Sequence, residues 1–191
     1  MNHCFGKPAN FAFEIDPIHE AFCPTRLWLG GELVWAYEND APISLSPISF
    51  LYHLAVYWNE IFNSQSPPSY EKIIVSAENP EQAVTFLLND IIQSVTPDMN
   101  IEEEKFFIYE KAHNIGLWDD EVFCRQDIYI FKLDSEVQIS CEEKKVYCNI
   151  FEIQSLLNEL GDFLCEQVHS VVPDSHAISA WIKKEQFKPI F

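Results

Sequence analysis

Basic residues are scarce in this chain. Twelve Lys and Arg stand against thirty Asp and Glu in 191 residues, a formal net charge of −18. Nucleic acid is therefore a poor direct partner, because its phosphates are held by Lys and Arg, and an anionic membrane surface is disfavoured on the same ground. Glycine is scarce too, five in all, and the chain has neither a phosphate-cradling glycine loop nor a Gly-x-Ser-x-Gly elbow. No apolar run approaches the roughly 18 residues of a membrane-spanning helix. The stretch MNHCFGKPANFAFEID lacks the basic head, apolar middle and small-residue cleavage site of a signal peptide. Six cysteines, at 4, 23, 124, 141, 148 and 165, are scattered without a Cys-x-x-Cys. The expectation is a cytoplasmic protein whose thiols are reduced and mostly buried.

What the chain has is apolar and aromatic mass, 48% and 14% of its residues, enough for a sizeable core. Its length fits a single domain over 1–191, with a possible subdivision at the proline-bearing segment 63–71, read as a loop. FAFEI (11–15) alternates like a strand, and TRLWLGGELVWAY (25–37) reads as a hairpin about Gly30-Gly31. That register sets Trp28 opposite Leu33 and Arg26 opposite Trp35, with Leu27, Leu29 and Val34 on the other face. Trp28 is expected to be largely buried, and both hairpin faces read as apolar. Ser46 and Pro47 start a helix to about 62, with Leu51, Leu54, Trp58, Ile61 and Phe62 inward and Ser49, His53 and Glu60 on a polar side. Asn79 and Pro80 start a second, striped by Val84, Leu87, Leu88, Ile91, Ile92 and Val95. Strands follow at 104–110 and in a hairpin of 127–133 with 135–140, and 144–148 adds another. Asn149 and Glu152 open a long helix carrying Ile153, Leu156, Leu157, Leu160, Leu164 and Val168. Asp174 is the expected cap of a last short helix containing Trp181. The order predicts an α+β fold, a largely antiparallel sheet with three to four covering helices.

Few constellations suggest chemistry. Asp98, Glu103 and Lys105 form a partial metal-nuclease pattern, and Asp134 with Glu142 to Lys145 forms a second. Both are short matches in an acid-rich chain, placed at strand ends. His19, Cys23, Cys165 and His169 would complete a tetrahedral zinc set only across a long separation, so neither metal nor cofactor is expected. His53 reads as a solvated histidine. His113, in a loop near an acidic turn, would have a raised pKa and act as a pH-sensitive contact.

Charge distribution carries more. From Asp90 to Asp127 there are ten acids and three bases, a local net of −7. From Ile150 to Pro173 there are four acids and no base. Glu102, Glu103 and Glu104, together with Asp119, Asp120 and Glu121, bracket Trp118 and other aromatics. Aromatic anchors among steering carboxylates suit an interface with a basic protein.

RLWLGGELVW with a helix ending LAVYWNEIF, and FFIYEKAHNIGLWDDEVFCRQDIYIFKLDSEVQIS, together resemble small bacterial immunity or antitoxin-like proteins encoded near toxin or phage-defence genes. The resemblance covers about half the chain. It implies a binding role and carries over no active-site residue. The expected function is a non-enzymatic acidic protein that neutralises a basic, nucleic-acid-acting partner. A phage-encoded inhibitor of a defence complex working by charge mimicry needs the same surface. A metal-dependent nuclease and an accessory subunit docking through the hairpin are the remaining alternatives.

Overall fold

The computed structural model describes residues 2–19, 22–35, 41–64, 68–79, 82–83, 85–86, 109, 112–115, 128–133, 136–141 and 143–189, the side chains of 35, 68, 69 and 71 excepted. The fold is α+β, with two antiparallel sheets. Strands β1 (His3–Lys7), β2 (Phe11–Ile15), β3 (Cys23–Leu29) and β4 (Glu32–Trp35) pair in sequence order, and β5 (Ile43–Leu45) pairs with the start of β3. Gly30 and Gly31, with φ of 61° and 85°, make the β3–β4 turn. Trp28 lies opposite Leu33 as the turn requires, but a register shift between Leu27 and Trp28 sets Leu27, not Arg26, opposite Trp35. The second sheet is the meander β6 (Tyr129–Leu133), β7 (Glu136–Cys141) and β8 (Lys144–Asn149).

Helix α1 (Pro47–Phe62) has the bounds its cap signals set, with the Ser46 hydroxyl accepting from the Ser49 amide. Eleven of its sixteen residues are buried, so neighbours enclose it on more than one side, unlike a surface helix with one apolar stripe. Helix α2 (Pro68–Ser76) replaces the second half of the expected loop. Proline is tolerated at the first helical position, where no amide hydrogen is needed. Asn79 does cap a helical turn: its Oδ1 accepts from the Gln82 amide at 2.8 Å. The stripe from Val84 to Val95 lies outside the described residues. Tyr109, the described residue of the strand expected over 104–110, has helical backbone, as do Ala112 and His113. The Tyr109 and His113 rings lie 4.2 Å apart, the neighbour relation that residues four apart have on a helix.

Helix α3 (Ile150–Val171) is capped by Asn149, whose side chain accepts from the Phe151 amide. Helix α4 (His176–Ile182) is capped by Ser175 and not by the expected Asp174. One hydrophobic cluster takes residues from both sheets, α1, α3 and α4. Phe13 of β2 packs edge-on against Phe50 of α1, and Trp58 of α1 does so against Trp181 of α4. A smaller cluster joins Tyr70 and Ile74 to Tyr109, Tyr129 and Phe131.

The hairpin faces differ from the expectation. Leu27 and Leu29 are buried, but Trp28 is only partly so. Its face of the sheet also carries Glu14, which accepts from the Trp28 indole at 3.4 Å and pairs with Arg26 at 3.5 Å. That face is partly polar, and this weakens the reading of a two-sided apolar docking hairpin.

Candidate partner-binding surface

The site residues nominated from sequence, Glu102, Glu103, Glu104, Trp118, Asp119, Asp120 and Glu121, lie outside the described residues. So do Asp98, Glu103 and Lys105, and so do Asp134 and Glu142. Lys145 is described, and its amine meets the Ala77 carbonyl oxygen.

Among the described residues the clearest concentration of one charge is on α3. Its apolar residues at 153, 156, 157, 160, 164 and 168 are buried, which turns the opposite face to solvent. Glu152, Glu159, Asp162 and Glu166 are all exposed. At ~100° per residue these four positions fall within an arc of about 80° and span about 21 Å along the axis. Glu152 sits in the first turn, where the helix dipole favours a carboxylate. Asp162 Oδ1 accepts from the Trp181 indole at 2.8 Å, and Glu159 accepts from the Ser155 hydroxyl at 3.1 Å. None of the four pairs with a cation among the described residues; the ion pairs there are Arg26–Glu14 and Lys144–Glu32. The stripe is thus not neutralised by a direct ion pair, although Lys184 packs over the Trp181 ring that bonds Asp162. The sequence signal was the run of four acids without a base, and the missing step was recognising that they share one helix face.

Two histidine readings change. His53 and Glu60 are 1% and 3% exposed, because α1 is enclosed on the side the sequence pattern left polar. His113 is also 1% exposed, with Nδ1 2.7 Å from the Ile130 carbonyl oxygen. Burial pushes its pKa down to about 4, opposing the hydrogen bond, which acts upward. Desolvation thus overturns the expected rise. His19, Cys23, Cys165 and His169 are all described, and no three His, Cys, Asp or Glu among the described residues group as metal ligands. Cys23 is buried, and burial with Asp16 nearby raises its thiol to about 12, unsuited to act as a thiolate. Cys4 is exposed, whereas Cys141 and Cys148 are buried.

No helix among the described residues is long and apolar enough to cross a membrane. No family model, no curated protein and no solved structure matches the chain.

Proposed function

We propose that this protein is a non-enzymatic acidic binder that occludes a basic, nucleic-acid-acting protein, as an immunity protein or antitoxin does. The observation that carries this reading is the net charge of −18, with four exposed carboxylates aligned on one face of α3, none in an ion pair among the described residues, supporting it. Such a face attracts and orients a basic cleft, its carboxylates standing where phosphates would. The sequence clusters Glu102 to Glu104 and Asp119 to Glu121, with Trp118, are the second set of residues assigned to this contact.

The test is capture on immobilised protein from cells of the source organism at low salt. A partner that fits elutes with salt and with competing duplex DNA. It is not retained by a variant in which Glu152, Glu159 and Glu166 are changed to Lys together with either cluster. Retention unaffected by salt, DNA and these reversals would remove the charge-based reading.

A further inference from the structure

A cavity of about 250 Å3 opens between the β1–β2 turn and the first turns of α3. Gly6 lets the turn lie this close: its φ is 91°, and a Cβ there would fall 2.3 Å from Leu156 Cδ1 and 2.4 Å from the Phe11 carbonyl oxygen. Buried Phe11 and Leu156 line the cavity with apolar surface. Cys148, a residue of the main core cluster and only 6% exposed, also lines it. Glu152 and Glu159 stand on the helix wall and Lys7 on the turn wall. Lys7 forms no ion pair with either glutamate.

We infer that this cavity receives an arginine side chain of the basic partner, its methylenes on Phe11 and Leu156 and its guanidinium between Glu152 and Glu159. The inference rests on the acidic-binder reading above and adds the anchoring residue to it. The size argues for one side chain: pockets for drug-sized ligands and cofactors run from about 300 to 1,000 Å3. The mixture of apolar lining and two carboxylates two turns apart on one helix face matches an arginine, whose stem is apolar and whose planar head offers several charge-assisted donors. Arginine is also among the residues that dominate interface energetics when seated in a pocket. Lys7 repels such a head, which fixes the sign of its substitution.

The experiment titrates an amidated tetra-arginine peptide into the full chain, following affinity and the NMR shifts of Gly6 and Leu156. Glu152→Gln with Glu159→Gln weakens binding about tenfold, the loss of two charge-assisted contacts. The charge-matched pair Glu143→Gln with Glu185→Gln, exposed and not among the residues lining the cavity, weakens it by no more than about threefold through the general field. Lys7→Ala tightens it. Equal losses from the two double variants, or weaker binding by Lys7→Ala, overturn the anchor while leaving the acidic-binder reading intact. Absence of any salt-sensitive binding to the peptide removes that reading and the anchor with it.

Discussion

His113 Nδ1 donates to the Ile130 carbonyl oxygen at 2.7 Å, and its ring lies within 5.6 Å of Phe131 and 4.2 Å of Tyr109. The site favours the neutral imidazole, and a folded pKa of about 4 lies below the ordinary 6.5. Above pH 6.5 both folded and unfolded states hold it neutral, so its contribution is intact. As pH falls from 6.5 towards 4 the unfolded state takes up the proton first and stability is lost, by roughly 3 kcal/mol at completion. An NMR titration of the ring is expected to give a midpoint near 4, with His113→Gln removing that part of the acid sensitivity. A midpoint at or above 6.5 contradicts the burial argument. Trp28 belongs to the same scale. Being partly buried over Glu14 and Arg26, its replacement by Ala should cost less than the roughly 3–5 kcal/mol of a fully buried aromatic, as measured by urea unfolding. A loss in that upper range would mean the face is covered.

At the scale of elements, α3 contains a prediction opposite to helix propensity. Gly161 would ordinarily be improved by Ala by about 1 kcal/mol. Here a Cβ would fall 2.2 Å from the Trp181 ring, whose position is fixed by contact with Trp58 and by its bond to Asp162. Gly161→Ala should therefore destabilise, by about 1–3 kcal/mol, and Trp181→Leu should relieve the conflict. Urea unfolding checks both, and a stabilised Gly161→Ala would contradict the close packing of α3 on α4. Much of this scale was legible in the sequence where local chemistry sets a boundary. Ser46-Pro47 marked the start of α1, Gly30-Gly31 marked a hairpin turn, and Asn149 marked the cap of α3. The bulge between Leu27 and Trp28 was not legible, since no special residue announces it. Pro68 was ambiguous because the same residue ends one helix and opens another. The side of α1 carrying His53 and Glu60 reads as solvated in the sequence but is buried, and that burial depends on distant neighbours that periodicity does not name.

At the scale of the molecule, charge and core divide the work. The main cluster draws apolar residues from both sides of segment 63–71, while the acids of α3 stay on the solvent side. The sequence made the total charge legible and nominated Glu102 to Glu104 and Asp119 to Glu121. It did not single out the α3 stripe, because three-dimensional alignment from Glu152 to Glu166 is weaker in a linear reading than a contiguous run. Exposed charges contribute little to folding, so reversing them should leave stability near that of the parent and alter association instead. The most direct test is the rate of association with the captured basic partner across ionic strength. It compares the parent with Lys reversals of Glu102, Glu103 and Glu104, of Asp119, Asp120 and Glu121, and of Glu152, Glu159 and Glu166. The account predicts a rate that falls as salt rises through about 0.1 M, where the Debye length is about 10 Å, and that is slower and less salt-sensitive in at least one reversal. A rate indifferent to salt and equal in the parent and all three variants would contradict it.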